Sequence, residues 1–207
     1  MNRLFQLVLI MLMSSAIGFS SSLFASGSKD SAIKNERKLG SYRVGLGLSS
    51  IEARQLSRLK INPQGFVFGV GGGYRVRENL EIEGDYFHLQ TSRGKNFSSE
   101  KTEFRQDRFG LGVNYHAEVS RSASFLFEAG IVYSRIFIRL EEYTFQLAQS
   151  AGAIGPQVGL GMFAIVHEEM FVDVRLRCSR AKLVMDSFGI DSYLYQALVL
   201  VSLGVAF

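Results

Sequence analysis

The sequence predicts an all-β fold, an eight-stranded antiparallel up-and-down transmembrane β-barrel. Three observations predict it. Apolar residues alternate with polar residues or glycine at period two through eight segments between Ser41 and Phe207, the pattern of strands with two unlike faces. The connections between those segments alternate short and long. Beyond the first residues no run of about 18 apolar residues occurs, so a membrane crossing has to be made by strands closed into a ring, which satisfies each backbone group without water.

Composition agrees. The 207 residues suit one domain; 47% are hydrophobic and 20% charged, too apolar for a disordered chain and too charged for a helical membrane bundle. Glycine numbers 21 and proline 2, which favours closely packed strands over linkers. The net charge of +4 includes Arg3 of the leader, and Lys and Arg are scattered among Asp and Glu, so no basic stripe for nucleic acid exists. With one cysteine, Cys178, an intramolecular disulfide is excluded.

Residues 1–25 read as a signal peptide: a basic start at Arg3, an apolar core from Leu4 to Met13, and small residues to a cleavage position at Ala25. The apolar core is about ten residues long, too short to anchor in a bilayer. Residues 26–40 are polar without a period and form a lead-in on the periplasmic side. Residues 41–207 are the barrel.

The strands are expected at about 41–51, 65–76, 80–90, 107–117, 124–137, 155–166, 170–179 and from Tyr193 to the end. Tight turns follow the second, fourth and sixth, at Arg77–Asn79, Ser120–Ser122 and His167–Glu169. Longer loops, about 52–64, 91–106, 138–154 and 180–191, follow the others. Outer-membrane barrels have short periplasmic turns and longer extracellular loops, so both termini are expected in the periplasm.

A soluble barrel with its apolar face inside would show the same alternation. Three features favour an apolar face turned to lipid. Seven of the eight tyrosines lie on that face near strand ends: Tyr42, Tyr74 and Tyr115 at the periplasmic end, Tyr86, Tyr133, Tyr193 and Tyr195 at the outer end, as two aromatic girdles. The opposite face is rich in glycine, which gives long side chains room inside a narrow barrel. That face also carries Arg43, Arg75, Arg108, Arg175 and Arg177 against Glu81, Glu83, Asp85, Glu128 and Asp173, a balanced set fit for a paired interior. In a ring of eight the third strand faces the seventh, so Glu83 and Asp85 are expected to reach Arg175 and Arg177 across the lumen. Pairing only between adjacent strands is the alternative for each charge.

The leader, the eight amphipathic strands and the closing alternation of Val199, Val201, Leu203, Val205 and Phe207 resemble the small outer-membrane barrel families, the opacity-type proteins and the barrel domains of outer-membrane proteins A and X. Residues 69–89 are similar to their second hairpin. The resemblance implies a bacterial outer-membrane location. It also implies that Phe207 and its alternating partners act as a recognition signal for the barrel-assembly machinery.

Candidate chemistry is sparse. Some barrels of this size modify lipid A with a His, a Ser and a carboxylate near the rim. His88 is the candidate base here, but the deacylase pattern resembles His-x-Ser and this chain has His88-Leu89-Gln90, with Ser92 in a loop. His116 and His167 fall at the other end. The glycines at 69 and 71–73 lie within a strand with no helix after them, unlike a phosphate-binding loop. No catalytic, metal or cofactor site is expected. Basic residues in or beside the loops (Arg54, Arg58, Lys60, Arg93, Lys95, Lys101, Arg105, Arg135, Arg139, Arg180, Lys182) could meet lipopolysaccharide phosphates or an anionic surface. Glu100, Glu103, Glu141, Glu142 and Asp186 dilute them, so a solvated mixed-charge rim is the plainer reading. The expected role is structural or adhesin-like through four extracellular loops, with the lumen plugged by paired charges and the chain a monomer. The expected partners are outer-membrane lipid, lipopolysaccharide, the assembly machinery and an external surface ligand, with no nucleic acid. A small channel is the alternative, and a lipid A modifying enzyme stands after it.

Overall fold

The computed structural model describes residues 39–52, 64–95, 98–120, 122–142 and 145–207, with side chains for all of these except 92–101, 142 and 145. The leader (1–25), the lead-in up to residue 38 and the link 53–63 with Arg54, Arg58 and Lys60 lie outside the described residues, as do the side chains of Arg93, Lys95 and Lys101.

Eight strands form the barrel: β1 (Gly40–Glu52), β2 (Gln64–Arg77), β3 (Leu80–Lys95), β4 (Ser98–Ser120), β5 (Ala123–Glu142), β6 (Phe145–His167), β7 (Met170–Met185) and β8 (Ile190–Ala206). Each pairs antiparallel with the next, and β8 returns to β1 to close the ring. At the seam Gly40 and Phe207 exchange two backbone hydrogen bonds of 2.9 Å. The Phe207 ring stacks on Tyr42 at 5.2 Å and covers Gly40, where a Cβ would come within 2.6 Å of it. Glycine at 40 therefore makes room for the last side chain of the chain.

Paired residues followed once around the ring, Ser41, Gly73, Glu83, Gly112, Gly130, Gln157, Ser179 and Gln196, lead back to Ile51, ten residues further along β1. With strands about 4.8 Å apart and a rise of about 3.3 Å per residue, that stagger tilts the strands by roughly 40°. The resulting tube is narrow enough for side chains to fill. Its outer face is an apolar belt: Leu46, Phe68, Val70, Leu111, Phe127, Ile131, Val158, Leu160 and Leu203 are all exposed.

The strands differ in length from the sequence expectation. The regions 91–106, 138–154 and 180–191, expected as loops, are largely strand, because β3 to β8 run past the belt: β3 extends to Lys95, β4 begins at Ser98, β5 extends to Glu142, β6 begins at Phe145, and β7 reaches the 3-10 turn Asp186–Phe188. The physical reason is a change of phase. In β5 the exposed set Phe125, Phe127, Ile131 and Tyr133 is odd-numbered, whereas the fully buried Ile136 and Ile138 are even-numbered. In β7 the apolar residues switch from the half-buried outward Val172, Val174 and Leu176 to the buried inward Ala181, Leu183 and Met185. Below the switch apolar side chains face outward; above it they turn inward and form a core with Ile51, Val67, Leu89, Phe104, Ile190 and Leu194. The barrel thus has a terminal end, which holds Leu39 and Phe207, and a far end built like a water-soluble barrel.

This core yields a prediction. Ile138→Ala and Leu183→Ala should each lower the unfolding free energy by about 2–5 kcal/mol, and Arg139→Ala by less than about 1 kcal/mol, measured by denaturant titration in detergent. Near-neutral values for Ile138 and Leu183 would mean that these segments are loops after all.

Candidate functional site

The lumen is layered, and each layer follows from which inward residue each strand brings to that height. In the middle, inward positions of β1, β3, β5 and β7 carry the charges. Glu83 is the hub: it meets Arg43, accepts from Arg175 Nη1 at 2.5 Å and accepts from Arg177 Nη2 at 2.6 Å. Arg177 also donates to Asp85 at 2.6 Å and to Glu128 at 2.7 Å. Asp173 accepts two hydrogen bonds of 3.1 Å from Arg175 and one of 3.4 Å from Arg43. These groups are buried, apart from the partly buried Asp85, and such charges are tolerated because each is both paired and hydrogen-bonded. The pairs joining β3 to β7 span the ring, as four-strand separation in a ring of eight requires. Gly110 supplies part of the space, since a Cβ there would lie 2.5 Å from Asp85 Oδ1.

Two expected members of this network behave differently. Arg108 reaches Glu128 indirectly: it donates to the Gln157 side chain, which donates to Glu128. Arg75 does not join the cluster among the described residues. It lies half buried at the terminal end beside the bulge between Arg75 and Arg77. Its pairing partner Glu81 is already engaged, accepting from the Ser41 hydroxyl at 2.8 Å and lying 3.1 Å from His116 Nε2. Parity placed Arg75 on the right face; the height at which it sits removes it from the cluster.

Sequence reasoning missed two further layers. Toward the terminal end His116 lies between Glu81 and Ser124, with Nδ1 3.3 Å from the serine Oγ. Phe163 packs edge-on to the imidazole at 5.6 Å and against Phe171 at 4.8 Å. Toward the far end Gln106 donates to Ser134 at 3.0 Å, and Gln196 donates to Ser49 at 2.8 Å and to Gln106 at 3.0 Å, a belt of neutral amides between the charges and the apolar core. The inward parity of these residues was readable; their shared height was not.

Outside, Tyr42, Tyr74 and Tyr115 ring the terminal end of the belt, and Tyr86, Tyr133, Tyr193 and Tyr195 its far edge. Of the closing alternation on β8, Val201, Leu203, Val205 and Phe207 are exposed, but Val199 is buried at 4% exposure, flanked by its pairing partners Leu48 and Leu176. Cys178 is free and exposed.

At the far edge His88 Nδ1 lies 2.8 Å from Asp107 Oδ1, which also accepts from the Tyr86 hydroxyl at 2.8 Å. The imidazole is thus oriented by a carboxylate, and the Ser92 side chain lies outside the described residues. The cations above the belt are mostly matched: Arg105 with Glu103 at 2.5 Å, Arg139 with Glu141 at 2.8 Å, Lys182 with Asp191 at 3.1 Å. Arg180 instead stacks over Tyr193 at 3.9 Å and lies 5.5 Å from Tyr195. Among the described residues no group of three His, Cys, Asp or Glu has metal-holding geometry.

Residues 16–207 match the family model described as outer membrane protein beta-barrel domain. Solved structures of like architecture include Neisserial surface protein A, with a TM-score of 0.64 and 15% identity over 81% of this chain and 97% of that one. Ail, the attachment invasion locus protein of Yersinia pestis, gives 0.55 and 12% over 82% and 99%. The outer membrane protein OprG from Pseudomonas aeruginosa gives 0.54 and 14% over 82% and 97%. At these identities the likeness is one of fold. No curated protein sequence matches the chain.

The hub makes a prediction. Glu83→Ala leaves Arg43, Arg175 and Arg177 short of a buried carboxylate and should destabilise the barrel by about 3–5 kcal/mol, against less than about 1 kcal/mol for Glu141→Ala at the surface. Unfolding in urea, followed by the mobility of unheated protein on a gel, measures both. Equal effects would deny the hub its role.

Proposed function

The chain belongs to the outer membrane protein β-barrel domain family, and from that premise we propose that it is a structural and surface-binding barrel whose plugged lumen serves as scaffold. It resides in the bacterial outer membrane. The observation that carries the proposal is the lumen's middle, filled by the Glu83-centred ion cluster and capped toward the far end by amides and a buried apolar core. Mutually paired side chains there brace the wall, and the far-end strands become a rigid platform for binding residues.

In this reading both termini lie in the periplasm and the far end of the barrel lies outside. The support is asymmetry: β2–β3, β4–β5 and β6–β7 are joined by two-residue links at the terminal end, while β3 to β8 rise past the belt at the other. The outer partner is lipopolysaccharide or another polyanion. Arg180, with two tyrosines as its neighbours, and Lys182 two residues on place cations just above the far aromatic edge, at the depth of outer-leaflet phosphates. The assembly machinery is the partner at the terminal end, through the exposed Val201, Leu203, Val205 and Phe207.

A channel is the second reading. Arg108 Nε and Nη1 and Asp85 Oδ1 are buried without a protein partner among the described residues, so the lumen has polar groups to offer to water. Lipid A chemistry has less support. The candidate base His88 has Nδ1 on Asp107, which also accepts from Tyr86, and among the described side chains no serine hydroxyl lies on its ring.

Two measurements test the proposal. Purified barrel in planar bilayers should be electrically silent; discrete conductance steps would favour the channel. Binding to lipopolysaccharide-containing vesicles should weaken roughly 5- to 30-fold in Arg180→Ala/Lys182→Ala, given about 1 kcal/mol per basic residue near an anionic surface, and the difference should shrink at high salt. Unchanged binding would move the site elsewhere.

A further inference from the structure

Glycines on the inward face give the lumen's side chains their space, but Gly72 and Gly84 point the other way. They pair directly across β2 and β3, within the belt and between the outward residues Val70, Tyr74, Ile82 and Tyr86. Neither has positive φ, so the backbone does not require glycine at either position. Glycine weakens a strand unless something approaches closely. At Gly72 the Tyr42 ring does so, 3.2 Å from where a Cβ would stand. At Gly84 nothing does: a Cβ would meet only the Gly110 carbonyl oxygen, at 3.9 Å.

The result is a depression in the lipid-facing surface. On one side of the Tyr42 ring it has a volume of about 650 Å³ and runs over Gly72 and Gly84 between Val44, Val70 and Tyr86. On the other side a second depression of about 630 Å³ runs past Tyr74 and Ile82 to Leu39 and Phe207 at the terminal rim. Arg43 and Asp85, whose backbones contribute to the floor, turn their charged ends into the lumen. Both depressions are lined by Tyr42 and Gly72, and we propose that together they form a groove, stepped at the Tyr42 ring, that holds one acyl chain of a glycerophospholipid from the leaflet at the terminal end.

Three features select that occupant. The groove is continuous with the apolar belt, so its surroundings are hydrocarbon. It is long and open at the rim, as a chain entering from a headgroup needs. Arg77, exposed on β2 and about 10 Å past Tyr74 along the strand, supplies a cation at headgroup height for the phosphate. Retention over bulk lipid then comes from close contact with glycine backbone and the two tyrosine rings, because hydrocarbon offers no hydrophobic gain for one chain over another. That this is the inner leaflet rests on the orientation proposed above; the groove itself does not.

The test uses the full barrel reconstituted in nanodiscs of palmitoyl-oleoyl phosphatidylglycerol and phosphatidylethanolamine, released into the gas phase for native mass spectrometry. Wild type should retain one phospholipid. Gly84→Leu, which fills the groove, should retain about tenfold less, equivalent to about 1.4 kcal/mol of lost van der Waals contact. Ala129→Phe, an equal enlargement on the outward face of β5, should behave as wild type. Folding of each variant is read from the mobility of unheated samples. If Gly84→Leu fails to fold, Gly84→Ala carries the test and should show a smaller loss. Wild type without a bound lipid, equal retention in the Gly84 variants, or a wild-type dimer dissolved by Gly84→Leu would each overturn the proposal. The bilayer is the same on both faces, so a negative result counts against the groove and leaves the orientation untouched.

Discussion

Each backbone N–H and C=O within the hydrocarbon must find a partner in the chain, and almost everything else in this molecule depends on that constraint. Eight strands satisfy it only by closing, with β8 returning to β1 through the Gly40–Phe207 exchange. Closure at a stagger of ten residues fixes the tilt, and the tilt fixes the bore. A bore this narrow leaves the inward side chains no freedom to avoid one another. They have to be chosen as a set, with long arginines reaching across and glycines yielding beside them.

That choice explains why the interlocked ion cluster occupies the middle. At mid-height the wall is surrounded by lipid, and the lumen's polar groups are farthest from water, so only a closed set of partners is tolerable. Glu83 serves three guanidinium groups at once, and Asp173 and Glu128 take up their remaining donors. Toward the far end the demand relaxes through neutral amides to an ordinary apolar core. The wall there has water outside, so the cheapest interior is hydrocarbon.

How much of this the sequence discloses differs by feature. The outward sets, such as Phe125 to Tyr133 on β5, and the facing of β3 toward β7 are readable, since parity and ring position need no coordinates. Two things are not. The far-end strands are hidden because Ser134 and Arg135 interrupt the alternation and Ile136 resumes it on the other parity. Without knowing where lipid stops, that reads as a loop. Heights are hidden because they come from the stagger, a property of the closed ring and of no single strand. Arg75 shows the cost: its face was legible, while its level beside the occupied Glu81 was not.

The change of phase also bears on how permanent the inserted state is. Above the switch the outer surface carries Arg105, Arg135, Arg139, Arg180 and Lys182, and drawing that end back through the membrane would carry each of them across hydrocarbon. A cation on the lipid face costs about 2–4 kcal/mol at the bilayer midplane, so withdrawing several together through an unaided bilayer is forbiddingly slow. The same residues that suit the far end to water therefore act as a latch: once the barrel sits in its bilayer, they hold it there.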